Sequence, residues 1–150
     1  MGGGGGGAVG AGTGAALGSA LALKDSGKVP VAILGDGEFL ESVQALWTAA
    51  HYHIPSLWII NNNRSYFNDE AHQNHLARVR ERPLENAWIG QRIENPEIDY
   101  AGVARNFGVG GEGPIKDPAD LGPALGRALE EVKRGQLVLV DVRTENREQG

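Results

Sequence analysis

Three short, almost wholly apolar runs constrain this chain more than any other feature: Val31-Ala32-Ile33-Leu34, Leu57-Trp58-Ile59-Ile60 and Leu137-Val138-Leu139-Val140-Asp141-Val142. A strand with one face in water alternates apolar and polar residues, whereas a strand that is apolar throughout is buried on both faces. Segments with helical signals lie between the runs. Ala15, Ala16, Leu17, Ala20, Leu21 and Leu23 predict a helix from Gly12 to Lys24, ended by Lys24-Asp25-Ser26-Gly27. From Glu38, apolar residues recur at helical spacing (Phe39, Val43, Leu46, Trp47, Ala50) until Pro55 closes the segment. Ile98 to Asn106 reads as a helix ended by Gly108. Asp117 followed by Pro118 is an N-cap with proline at the first helical position. It opens an amphipathic helix through Leu121, Leu125, Leu129 and Val132 to Gly135. Residues 68–96 are polar, with scattered Arg and Pro, and read as irregular. Helices alternating with doubly buried strands predict an α/β fold, a parallel sheet in a three-layer α/β/α arrangement.

The length of 150 residues suits one domain, and 41% hydrophobic with 22% charged residues excludes a disordered tail or a coiled coil. A net charge of -5 argues against nucleic-acid or anionic-membrane partners, which need a basic surface. The absence of cysteine excludes disulfide scaffolds, thiol chemistry and Cys-type zinc sites. There is no run of about 18 apolar residues to span a membrane. Met1 and the six glycines after it have neither the basic nor the apolar part of a signal peptide. Gly6 stands where a myristoylation signal needs Ser or Thr. The expected location is cytoplasmic. Glycine is the outlier, 23 residues concentrated at the front, with Gly2–Gly7 of low complexity.

Two of the strands end in polar punctuation, Gly35-Asp36-Gly37 and Asn61-Asn62-Asn63. In an open parallel sheet, ligands bind at the carboxyl ends of the strands, so both clusters belong on one edge. An Asp carboxylate, an Asn amide oxygen and a nearby backbone carbonyl are hard oxygen donors suited to Mg²⁺, with phosphate and water oxygens completing the octahedron. The glycines flanking Asp36 let a phosphate approach the backbone, and the helix from Glu38 points free N–H groups at the same place. Residue types alone leave this metal–phosphate reading beside a plainer one, two Gly- and Asn-rich turns after strands.

The combination resembles the signature of the thiamine diphosphate (ThDP) enzymes. Asn63 lies 27 positions after Asp36 with an αβ unit between, as in that family. The stretch GDGEFLESVQALWTAAHYHIPSLWIINNNRSYFNDE is similar to the acetolactate synthase and benzoylformate decarboxylase branch along its length. GAVGAGTGAALGSALA upstream resembles the segment that holds the aminopyrimidine half of the cofactor, and the likeness continues through IDYAGVARNFGV to the last strand. The resemblance implies that Asp36, the side-chain oxygen of Asn63 and the backbone carbonyl of Ser65 hold Mg²⁺. It implies backbone N–H groups from Gly37 and Glu38 on the diphosphate, with Gly35, Tyr66 and Phe67 beside it. Gly7 would accept a hydrogen bond from the 4′-amino group, and Val9 would be the apolar wedge that bends ThDP. The bend lets the cofactor deprotonate itself, attack a 2-oxo acid and accept electrons as CO₂ leaves. Arg64, Ser65 and Tyr66 depart from the small residues many relatives carry there.

Family enzymes of this branch are long three-domain chains, and the Glu that activates the aminopyrimidine belongs to a pyrimidine-binding domain of another subunit. Nothing here matches that domain. The resemblance implies that residues 1–150 are one ThDP/Mg-binding domain of a longer enzyme. Its usual first helix and strand would precede the glycines at 1–7. The chain is expected to be inactive alone, to need a pyrimidine-domain partner in a homo- or hetero-oligomer, and to associate through an exposed sheet edge. A non-catalytic binding or interaction remnant is the alternative. A dinucleotide site at Gly10-Ala11-Gly12-Thr13-Gly14 is disfavoured because no strand precedes it. Asp69, Glu70, His72 and His75 read as solvated residues, or as part of a lid, rather than metal ligands. His51 and His53 read as structural at a helix end. Arg78, Arg80, Arg82 and Arg92, interleaved with Glu81, Glu85 and Glu94, read as a salt-bridged surface. Trp47, Trp58 and Trp88 read as core or interface.

Overall fold

A computed structural model describes residues 9–146. Its elements run α1 (Ala11–Leu23), β1 (Val31–Gly35), α2 (Asp36–Glu41), α3 (Ala45–His51), β2 (Ser56–Asn62), α4 (Phe67–Val79), α5 (Tyr100–Asn106), β3 (Gly110–Ile115), α6 (Pro118–Lys133) and β4 (Leu137–Arg143). The four strands form one sheet in the order β1-β2-β4-β3, and every neighbouring pair is parallel. The all-apolar runs become β1, β2 and β4; β2 and β4 are largely buried on both faces, as expected, whereas β1 is an edge strand covered on one face only, because α6 does not reach it.

Helices cover both faces. On one, Leu34, Trp58, Ile60, Leu137 and Leu139 pack with Phe39 of α2, Leu46 and Ala49 of α3, and Tyr100 and Ala104 of α5, with Ala16 and Leu17 of α1 alongside. Phe39 sits edge-on to Trp58 and Tyr100, at 6.4 and 5.8 Å between ring centroids. On the other face, Leu57, Val138 and Val140 meet Ala124, Ala128 and Val132 of α6. The cap of α6 forms as read, the Asp117 side chain accepting the Ala119 N–H at 2.8 Å with Pro118 behind it. α6 lies over β2, β3 and β4, and leaves Val31 and Ile33 of the edge strand β1 exposed, Ile33 to 73%.

The chain departs from the sequence reading in three further places. The segment read as irregular contains α4, a helix whose only buried residue is Glu70. The helix read from Glu38 onward is two helices, α2 and α3, broken at Ser42–Gln44. The unpredicted β3 has the sequence GGEGPI, poor in strand formers. Its glycines allow close approach: a Cβ on Gly111 would overlap the Ala101 carbonyl of α5. Gly111→Ala is therefore expected to push β3 from α5 and cost about 2 kcal/mol, read as a lower urea midpoint with unchanged slope. Of the tryptophans, Trp58 is fully buried in the core, whereas Trp47 and Trp88 are surface residues.

Candidate functional site

Gly35 pairs with Asn61 across β1 and β2, so both polar turns leave the sheet side by side. β1 runs straight into α2, whose first residue, Asp36, is 1% exposed. Asp36 Oδ1 accepts the Gly37 N–H at 3.0 Å, and Oδ2 accepts the Arg64 N–H at 2.6 Å. Arg64 has a left-handed backbone, with φ 61°, which lets the chain after β2 fold back onto Asp36.

The three consecutive asparagines have different surroundings. Asn61 is exposed. Asn62 is buried and its Nδ2 donates to Asp141 Oδ1 at 2.9 Å, tying β2 to β4. Asn63 is half-buried beside Asp36, and its Oδ1 accepts the Ser65 N–H at 2.9 Å while keeping a second lone pair. A distant segment fixes the next residues. The Tyr66 N–H donates to the Gln91 carbonyl and the Ile93 N–H to the Arg64 carbonyl, each at 2.8 Å, making an antiparallel bridge between Ser65 and Arg92. In such a bridge the central residue's own N–H and C=O point away from the partner segment, which leaves the Ser65 carbonyl directed to the other side. The Ser65 hydroxyl donates to Glu70 Oε2 at 2.9 Å, and Arg92 donates to Glu70 Oε1 at 3.1 Å. Glu70, read as solvated, is thus buried and supports this turn. Arg92 also faces Glu94 at 3.8 Å, whereas Arg78, Arg80 and Arg82 make no ion pair among the described residues, so the salt-bridged surface expected from the sequence is limited to Arg92.

All the predicted site residues except one line a single recess of about 340 Å³: Val9, Gly35, Asp36, Gly37, Glu38, Asn63, Ser65, Tyr66 and Phe67. The exception, Gly7, lies outside the described residues. Tyr66 lies flat against Gly37, where a Cβ would strike its ring, and its hydroxyl donates to the Gly37 carbonyl at 3.3 Å. Burial pushes the Tyr66 phenol up, helped by the carboxylates of Glu41 and Asp36. Two local contacts add to this reading. The Gly37 N–H is engaged by the Asp36 carboxylate, and the Glu38 side chain turns to α1, accepting the Gly12 N–H at 2.9 Å. A second recess of about 490 Å³ shares Asn63, Phe67 and Asn68 and runs along α4 to His75 and Arg78. Asp69, His72 and His75 stay exposed on α4. Among the described residues, no three His, Asp or Glu side chains gather as a metal centre.

The cations of this edge, Arg64 and Arg143, pair with Glu97 and leave Asp36 without a countercharge. Burial holds the Asp36 carboxyl above its ordinary value, opposed by N–H groups from Gly37, Arg64 and Ser65. Burial raises Asp141 too, against the hydrogen bond from Asn62. The buried Tyr100 phenol is pushed up by burial and by the charges of Asp36 and Asp141. No ion pair reaches Asp36 among the described residues. A buried carboxylate beside an amide oxygen and a free carbonyl, with no countercharge, fits a hard divalent cation.

Fold and site together define the class: a parallel α/β domain with a polar recess at the carboxyl edge of its sheet. The family model described as "Thiamine pyrophosphate enzyme, C-terminal TPP binding domain" matches residues 1–142, and the chain belongs to that family. It is 31% identical over 142 residues to the acetolactate synthase isozyme 3 large subunit of Escherichia coli, covering 95% of this chain and 23% of that one. It is 32% identical over 103 residues to the benzoylformate decarboxylase of Pseudomonas aeruginosa, covering 69% and 17%. Among solved structures, a thiamine diphosphate-dependent 4-hydroxybenzoylformate decarboxylase of Rhodococcus jostii RHA1 superposes with a TM-score of 0.66 at 26% identity, over 94% of this chain and 24% of that one. The chain thus spans about a quarter or less of these relatives. Among the described residues, no helix is long and apolar enough to cross a membrane.

Proposed function

We propose that the chain is the ThDP- and Mg²⁺-binding part of a 2-oxo-acid decarboxylase or carboligase of the acetolactate synthase and benzoylformate decarboxylase type. The observation that carries this reading is the buried, uncompensated Asp36 carboxylate beside Asn63 and the outward Ser65 carbonyl. In this reading Asp36, Asn63 and Ser65 hold Mg²⁺. Gly35, Gly37 and Glu38 line the diphosphate side, with Tyr66 and Phe67 walling it. Val9 would be the apolar wedge that bends the cofactor, and Gly7 would accept a hydrogen bond from its 4′-amino group. Bound ThDP supplies the carbanion chemistry that releases CO₂ from a 2-oxo acid. This chain's residues anchor and orient the cofactor, and no acid or base among them is assigned to the reacting atoms. Activity then requires a pyrimidine-binding domain from a partner domain or subunit, within a homo- or hetero-oligomer. The open apolar face of β1 at Val31 and Ile33 is compatible with such an assembly.

Calorimetric titration tests the reading directly. ThDP is expected to bind in the presence of Mg²⁺ and to give no heat in EDTA. Equal binding in both conditions would overturn the metal assignment. No binding in either, with a pyrimidine-domain partner also present, would overturn the cofactor assignment.

A further inference from the structure

The glycines of Gly10-Ala11-Gly12 have a physical use that no nucleotide explains. Gly10 has φ 86°, and a Cβ there would lie 3.2 Å from Glu41 Cβ and Ser42 Oγ of the α2 region. A Cβ on Gly12 would overlap the Glu38 carboxyl. The start of α1 is therefore moulded onto α2. Two hydrogen bonds join them: the Gly12 N–H donates to Glu38 Oε1 at 2.9 Å, and the Ser42 hydroxyl donates to the Gly10 carbonyl at 2.7 Å. α1 has no side-chain N-cap and no acidic residue in its own first turn. Glu38 supplies from α2 the acceptor that the first turn of a helix needs, and a carboxylate there is also favoured by the helix dipole.

We infer that Glu38 and Ser42 are positioning residues, a clamp that holds the Val9–Gly12 segment in register with the Asp36 turn. This rests on the cofactor reading above, in which Val9 would be the wedge at the bend of ThDP and Asp36 would serve its diphosphate end through Mg²⁺. The two halves of the recess come from chain segments 26 and 32 positions apart at these contacts, and the clamp makes them one rigid unit. The side chain of Glu38 thus acts on the pyrimidine side, although its backbone lies on the diphosphate side.

The test uses two readouts on the wild type, Glu38→Ala, Glu38→Gln and Ser42→Ala. The first is amide hydrogen exchange at Gly12 without ligand. Protection is expected in the wild type, lost about tenfold in Glu38→Ala and largely retained in Glu38→Gln, whose amide oxygen still accepts. The second is calorimetry with Mg²⁺ and either ThDP or inorganic pyrophosphate, which reaches only the diphosphate side. Glu38→Ala is expected to weaken ThDP about tenfold and pyrophosphate less than about twofold, with Ser42→Ala showing a smaller split in the same direction. Unchanged Gly12 exchange in Glu38→Ala overturns the clamp. So does equal weakening of both ligands. Tighter ThDP binding in both Glu38 variants would show charge repulsion instead, which also overturns it. A wild type that binds neither ligand defeats the cofactor reading itself. Protection at Gly12 would then mark the contact as part of the fold alone and overturn its role toward a ligand.

Discussion

Asp36→Ala is expected to weaken Mg²⁺-dependent ThDP binding by at least about a hundredfold, because even outer-shell partners of metal ligands cost 10–100-fold when removed. Asp36 is the only charged donor in the proposed set, and it is almost fully buried. Two backbone N–H groups orient it, so its position is set before any metal arrives. Its charge is costly to the unliganded fold: burial raises its pKa, and an acid with a raised folded value loses native stability as pH climbs above the ordinary 3.8. A bound cation offsets that cost. The variant should keep its far-UV circular dichroism while losing the ThDP heat. Retained metal-dependent binding in a folded Asp36→Ala chain would remove Asp36 from the metal site.

The second large effect is expected two strands along the sheet, in β4. Asp141 is fully buried in β4, and its Oδ1 receives the one hydrogen bond that Asn62 Nδ2 makes among the described residues. Asp141→Ala strands a buried donor and opens a small void, at a cost of about 3 kcal/mol in chemical denaturation. Asp141→Asn keeps the acceptor and discards the charge. Burial raises the Asp141 pKa, so the folded state holds its proton more tightly than the unfolded chain. The wild type therefore loses stability as pH rises above 3.8 and through the raised folded value. The Asn variant should be the more stable chain at pH 8, with the gap closing as the pH falls toward the ordinary value. Urea midpoints at several pH values read both effects. A pH-independent gap would mean that Asp141 does not titrate as its burial requires.

The sheet was legible because β1, β2 and β4 are apolar on both faces, and the Gly-Asp-Gly turn and the asparagines fell where parallel strands end. Asn63 stood out from its two neighbours by spacing, and the fold shows Asn62 committed to Asp141 instead. What stayed hidden has physical reasons. α4 is polar all round, and its large apolar residues Leu76 and Val79 are exposed, so no periodic stripe announces it. β3 depends on glycines that let it touch α5, a tertiary reason that local propensity opposes. The break between α2 and α3 carries neither Gly nor Pro. The Ser65–Glu70–Arg92 support joins residues whose types gave no hint that they meet. Glu38 was read through its backbone, whereas its side chain reaches α1.

The central pairing of β2 with β4 also bears on how the chain reaches this state. Asn62 and Asp141, which touch across that pair, are 79 positions apart, and β4 is the last element of the sheet in the chain. Among the described residues β3 has β4 as its only partner and β2 pairs with both β1 and β4, so half the sheet is incompletely paired until β4 arrives. Closing so long a loop is entropically expensive before any contact rewards it, and such topologies are slow to assemble. On the ribosome, Trp58 and Ile60 must wait for Leu139 to be synthesised before their core can close. Dilution from denaturant should thus show a pronounced lag in burying Trp58.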